Sequence, residues 1–281
     1  MLAAAAWCLV AFGLLMALAY YVGPARWLDT AALHGFVAMN RGRVDNLATA
    51  IAHLCDPLPY ALAAMIVIAI AVKARGLRTA AAITILIGGA NATSQLLKPA
   101  LAYHRELYHT NFHLYNLADA AYPSGHATAA MTISLAVLII VPRAYRPLVA
   151  VVGTVFSLAV SFSILILQWH FPSDIVGGFL VATAWGLATL AALRYANERW
   201  PERGTIRQVA QGAIGAPSPA TIAWGALVVG VVACLAAASR AHQIASFVEG
   251  HTAATAVASA IAVAAAVLLA AVVSLSSSRN Q

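Results

Sequence analysis

Charge is what this sequence lacks most. It has 16 basic and nine acidic residues among 281, and 62% of the chain is hydrophobic, with a mean hydropathy of +0.84. Soluble domains are nearer a quarter charged, so a soluble globular fold is excluded. Cysteine is scarce too. Cys8, Cys55 and Cys234 are far apart and lack metal-ligand spacing, which argues against a disulfide framework or a structural zinc site. The net charge of +7 is spread between apolar runs and forms no patch. That excludes a nucleic-acid groove and fits a basic excess that sets membrane orientation. No sequence repeat or extended low-complexity segment stands out.

What remains is a series of uncharged apolar runs. Eight candidate spans are predicted, at about residues 2–22, 57–73, 79–98, 125–141, 147–169, 174–193, 219–239 and 252–275. They approach or exceed the length of a bilayer-crossing helix, so the expected fold is an all-α polytopic transmembrane bundle. The first run contains Ala17-Leu18-Ala19, which resembles a cleavage site. No positive charge precedes it and the run is long, which favours a retained helix. Between the first two spans, Leu28, Ala32, Phe36 and Met39 form one apolar stripe; Val44, Leu47, Ala48, Ile51 and Cys55 form another. Both are expected as short amphipathic helices, lying on the outer leaflet or covering the bundle. Residues 196–218 form a polar linker, and the last two spans are rich in small residues suited to close packing.

With the N-terminus on the cytoplasmic side, ten of the basic residues fall inside and six outside, as the positive-inside bias requires. All nine histidines and seven acidic residues then fall on the outer side. Chemistry is therefore expected on the extracytoplasmic face.

Three stretches near the outer helix ends carry unusual polar residues: KPALAYHR from Lys98 to Arg105, PSGH at 123–126, and SILILQWHFPSD from Ser163 to Asp174. Each has a modest explanation on its own. Lys98 snorkels to the interface, Ser124 or Asp174 caps a helix, and His126 is a satisfied first-turn histidine. Together they say more. Pro123 and Pro172 each open a helix at the same face, and helix N-termini favour anions. Gly125 permits close backbone approach, Lys98 and Arg105 add positive charge, and two histidines offer a nucleophile and a proton donor. The pattern is that of a phosphate site built for transfer chemistry.

These stretches resemble the three signature motifs of the type 2 phosphatidic acid phosphatase (PAP2) superfamily, K-x6-R-P, P-S-G-H and S-R-x5-H-x3-D. The motifs span residues 98–174. The resemblance implies a six-helix catalytic core over 1–195, followed by the 196–218 linker and a two-helix extension over 219–281. By position it implies that His170 attacks phosphorus to form a phosphohistidine and that Asp174 orients it. His126 would protonate the leaving oxygen and then activate water. Lys98, Arg105, Ser124 and the Gly125 amide would hold the phosphoryl oxygens. The resemblance implies no metal and no cofactor. It implies a lipid phosphate or pyrophosphate substrate, with undecaprenyl pyrophosphate, phosphatidic acid and phosphatidylglycerol phosphate all open. A bacterial inner membrane location with an outward-facing site is expected.

Two positions depart from the motifs. Glu106 stands where a loop-shaping proline is expected, and Ile164 stands where an arginine is expected. The second departure removes a charge-assisted donor worth about 3–4 kcal/mol of barrier, or 10²–10³ in rate. Gln168, or a histidine of the 104–113 segment, is a candidate replacement. A phosphotransferase and a lipid-phosphate binding or transport protein without turnover are the alternatives. A vanadate-binding haloperoxidase shares the family site but is usually soluble. His109 and His113 have i,i+4 spacing compatible with a metal, although their aromatic surroundings suit an interfacial belt better.

Overall fold

The computed structural model describes residues 1–105, 119, 121–201 and 241–277. The predicted span 219–239, most of the 196–218 linker, Cys234, His109, His113 and Glu106 lie outside the described residues. The helices are α1 (Leu2–Tyr21), α2 (Gly23–Val37), α3 (Arg43–Ala52), α4 (Pro57–Arg75), α5 (Leu77–Ala100), α6 (Gly125–Ile140), α7 (Arg146–Ile166), α8 (Pro172–Arg199), α9 (Ala241–Gly250) and α10 (Thr252–Ser277). The described residues contain no strand. Helices α1, α4, α5, α7, α8 and α10 are long and apolar enough to cross a bilayer. The chain is an integral membrane protein with an all-α fold.

Helices α6 and α8 form the centre. Nearly every residue of α6 is buried, and α8 packs against α1, α5, α6 and α10. Close approach comes from small residues. A Cβ on Gly178 of α8 would meet the Ser124 carbonyl oxygen at 2.7 Å and the Thr128 amide nitrogen at 3.0 Å. On the other flank of α6, a Cβ on Gly153 of α7 would meet the Ser134 Cβ at 2.8 Å. The hydroxyls inside α6 bond along their own helix: Thr128 donates to the Ser124 carbonyl at 2.7 Å, Thr132 to Thr128 at 2.6 Å and Ser134 to Ala130 at 2.9 Å. These three hydroxyls therefore sit in the apolar interior without a desolvation penalty left open. The outer helices behave oppositely. Trp7, Leu14, Leu58, Ile66, Val151, Val155, Val263 and Val267 are exposed, forming the lipid-facing surface.

The two short helices between the first spans are present. Helix α2 packs against α1, α7, α8 and α10, and α3 packs against α7. Their inner faces cover the bundle, and α2 buries Leu33, Phe36 and also Asp29.

Two boundaries differ from the sequence expectation. Helix α7 ends at Ile166, short of residue 169, because a Schellman motif closes it. The Gln168 amide donates to the Leu165 carbonyl at 3.1 Å and the Trp169 amide to the Ile164 carbonyl at 2.9 Å, with Gln168 left-handed at φ 61°. This geometry satisfies the last carbonyls and ends the helix. Helix α8 continues to Arg199 rather than 193, since its last turns are polar and need no hydrocarbon around them.

Candidate active site

The C-terminal end of α5, the N-terminal ends of α4, α6 and α8, and the turn after α7 converge at one end of the bundle. Ser124 is the N-cap of α6, and its Oγ accepts the Ala127 amide at 3.3 Å. The first turn leaves amides of Gly125 and His126 without an intrahelical acceptor. Helix α5 places cationic and polar groups beside them. A Cβ on Gly125 would stand 2.9 Å from Gln95 Nε2 and 3.6 Å from Lys98 Nζ. Gly125 is thus a glycine because two donors crowd its face.

His170 lies in the turn before α8. Its Nδ1 faces Asp174 Oδ2 at 3.4 Å, and the same oxygen accepts the Phe171 amide at 2.9 Å. Asp174 is fully buried and His170 nearly so. The Ser124 amide donates to the Asp174 carbonyl at 2.9 Å, which ties PSGH to the His170 segment. Trp169 extends this link, with its ring 5.4 Å from that of His126.

His126 has a carboxylate of its own. Its Nε2 faces Asp56 Oδ1 at 3.1 Å, while Asp56 Oδ2 accepts from His53 Nδ1 at 2.6 Å. Partial burial pushes the Asp56 carboxyl upward, but hydrogen bonds from His126 and His53 outweigh it and hold it below the ordinary carboxylate value.

Arg105 is the most heavily engaged residue. Its Nη2 donates to Asp174 Oδ1 at 2.6 Å, and its Nη1 donates to Ser173 Oγ at 3.1 Å and Asp29 Oδ2 at 3.4 Å. Its guanidinium lies 3.9 Å from the Phe171 ring centroid, within cation–π range. Asp29 in turn accepts the Ser173 amide at 2.9 Å and the Ser173 hydroxyl at 2.6 Å. Burial pushes the Asp29 carboxyl up to about 6, with Arg105 pulling it back and Asp174 adding to the rise. Two carboxylates facing one guanidinium leave a net negative charge, which a buried site tolerates poorly.

Residues 73–198 match the family model of the PAP2 superfamily. The match covers all three motifs. The fold is also similar to the crystal structure of a transmembrane PAP2 type phosphatidylglycerolphosphate phosphatase from Bacillus subtilis. The TM-score is 0.57 at 18% identity, covering 71% of this chain and 98% of that chain. At that identity the likeness speaks for the fold alone. No curated protein matches the sequence.

The PAP2 motif residues are brought together as follows. Lys98, Ser124, Gly125, His126, His170 and Asp174 share one end of the bundle, and Arg105 joins them through Asp174. Ser124 and Asp174 also perform the modest roles considered for them, as helix cap and as acceptor for the Phe171 amide. Ile164 is fully buried in the apolar core. Among the described residues, no group of three or more His, Cys, Asp or Glu is placed to hold a metal.

Three site residues were missed in the sequence. Gln95 lies one turn before Lys98 on the same face of α5. Asp56 and Asp29 precede the PAP2 match altogether. Asp29 carried a signal, since it shares a helical face with Ala32, Leu33 and Phe36 and so is an acid on an apolar stripe. Asp56 carried another, as an acid directly before the Pro57 that opens a span.

Proposed function

We propose that the protein hydrolyses a lipid phosphate or lipid pyrophosphate at the extracytoplasmic face of a bacterial inner membrane, through a phosphohistidine on His170. The observation that carries this reading is the bond between the Ser124 amide and the Asp174 carbonyl. It holds two helix N-termini side by side, with Lys98 and Gln95 against the first turn of α6.

In this reading the Gly125 and His126 amides, Lys98 and Gln95 receive the phosphoryl oxygens and stabilise charge on them. The Ser124 hydroxyl caps the helix that presents those amides, while Arg105 binds the phosphoryl group from the α8 side and fixes Asp174. Asp174 keeps the proton on His170 Nδ1, leaving the Nε2 lone pair to attack phosphorus. The phosphorus–oxygen bond to the lipid breaks as His126 gives that oxygen a proton. With Nε2 held by Asp56, Nδ1 is the nitrogen free to do so. In the second step His126 takes a proton from water, the hydroxide attacks phosphorus, and the phosphorus–nitrogen bond returns its electrons to His170. Two His–Asp pairs thus serve the nucleophile and the acid–base group. The residues present supply this chemistry without a cofactor.

Helix α6 is short for its task. Its 16 residues span about 24 Å, against a hydrocarbon core of about 30 Å. In this reading the shortfall lies at its N-terminus, below the water boundary, where a phosphate still attached to its hydrocarbon tail can reach it sideways. The proposed division is a core over 1–195, a linker over 196–218 and an extension over 219–281; the packing of α10 on α2, α7 and α8 supports a bracing role for that last helix.

The test is phosphate release from purified protein in detergent, over phosphatidic acid, phosphatidylglycerol phosphate and undecaprenyl pyrophosphate. Wild type should release phosphate from at least one of them, and His170→Ala should lose at least about 10³-fold of that rate. Release unchanged in His170→Ala would rule out the assigned nucleophile. A phosphorylated acceptor in place of free phosphate would make the protein a phosphotransferase. Binding of the lipids without turnover by wild type would make it a lipid-phosphate binding or transport protein.

A further inference from the structure

At the end of the bundle opposite His126 and His170, the C-terminal ends of α4, α6, α8 and α10 meet the start of α7. Between them lies a cavity of about 240 Å³, whose polar lining includes Arg75, Arg143, Arg146, Arg194, Asn197 and Ser276. Among the described residues, no acidic side chain lines it. Four guanidinium groups around one small space repel one another, so their gathering needs an explanation.

Helix capping explains part of it. Helix C-termini favour cations, and Arg75 Nε donates to the Ile140 carbonyl at 2.6 Å, Arg194 Nη2 to the Leu275 carbonyl at 2.6 Å and Arg146 Nη1 to Ser276 Oγ at 2.7 Å. Each bond uses one of the five donors of a guanidinium. Arg146 Nε is buried without a hydrogen-bond partner, and Arg143 is exposed at the rim. Among the described residues, capping leaves the charge uncompensated and a buried donor unsatisfied, which is costly. A bound anion resolves both.

We propose that this cavity binds a phosphate group, carried by an anionic membrane lipid of the leaflet facing away from the active site. Guanidinium forks match phosphate oxygens in bidentate geometry. The volume is below the roughly 300 Å³ at which sites for drug-sized molecules begin, so a headgroup phosphate fits and a large ligand does not. Basic pockets between membrane helices at a bilayer boundary suit anionic headgroups. The bound phosphate would join α4, α6, α7, α8 and α10, and so tie the C-terminal helix to the core.

Thermal unfolding of the purified full chain in neutral detergent tests this. Phosphatidylglycerol should raise Tm, and phosphatidylcholine, which has no net charge, should not. Sodium phosphate is compared with sodium chloride at equal ionic strength, and a rise there would support the site with free phosphate as a second source. Arg146→Gln should weaken the phosphatidylglycerol effect about tenfold or more in midpoint concentration. Arg143→Gln removes a rim charge and spares the buried bonds; it should weaken the effect in the same direction, which keeps the test valid if Arg146→Gln folds poorly. Lys98→Met, at the other end, should leave the effect intact. No anion-dependent rise in wild type, a rise unchanged in both arginine variants, or a rise lost only in Lys98→Met would each overturn the proposal.

Discussion

Asp29 shows how much one side chain outside the motifs contributes. It reaches from α2 to the first turn of α8 and to Arg105, so it sets where Asp174, and through it His170, can sit. Its carboxyl is raised from 3.8 to about 6. Between those values the folded protein holds a proton that the unfolded chain has released, so stability from this group falls as pH rises from about 4 to 6. The stability of wild type relative to Asp29→Asn should therefore decline across that window and level off above pH 7. Thermal unfolding of both proteins from pH 4 to 8 checks this, and a relative stability that climbs with pH would contradict it. Sequence reading singled out the histidines, Asp174 and Lys98 because each sits in a short motif whose internal spacing is local. Asp29 and Asp56 went unassigned because their partners, Ser173, Arg105 and His126, are at least 70 residues away. Only packing of α2 and α4 reveals those pairs.

At the scale of elements, the site depends on α6 and α8 touching near their starts. Gly178 meets the Ser124 carbonyl oxygen and the Thr128 amide, both backbone atoms that cannot turn aside. Gly178→Ala should force the two helices apart and destabilise the protein by about 1–3 kcal/mol, with a larger proportional loss of phosphate release. Thermal unfolding and turnover measured on the same preparation distinguish this from simple unfolding; an alanine variant with wild-type Tm and turnover would mean that the contact is not needed. The helices themselves were legible, because uncharged apolar runs have few other fates. The end of α7 was not. Leu167, Gln168 and Trp169 read as the last residues of the span, and only the Schellman bonds and the left-handed Gln168 show that the chain has already turned there. Ile164, in the last turn of α7, is buried in the core, where the motif expects an arginine. Gln95, the added donor beside Gly125, belongs to a different helix, so no local pattern pointed to it.

For the whole molecule, the two ends have opposite character. One holds His53, His126, His170, Asp29, Asp56 and Asp174; the other holds Arg75, Arg143, Arg146 and Arg194 around a cavity without acids among the described residues. In the proposed orientation, which the positive-inside bias favours, the arginine end faces the cytoplasm and the histidines face outward. Leu54, exposed beside His53 and Asp56, reports on this directly. A cysteine at Leu54→Cys should react with a membrane-impermeant maleimide in intact cells, and protection until the cells are opened would reverse the orientation. The native Cys8 and Cys55 are buried, and Cys234→Ser in the same chain removes the third native thiol, so that the label reads position 54 alone.

In the proposed mechanism His170 takes the phosphoryl group. Rapid acid-free quenching of purified protein with a lipid substrate labelled in its terminal phosphate should trap label on the chain, stable to base and lost in acid, as a phosphoramidate requires. The label should be absent in His170→Ala and should accumulate in His126→Ala if dephosphorylation is slowed more than attack. Peptide mapping that places the label on His170 is the predicted result. Phosphate release from wild type with no protein-bound label at any quench time, or label on another residue, would contradict it.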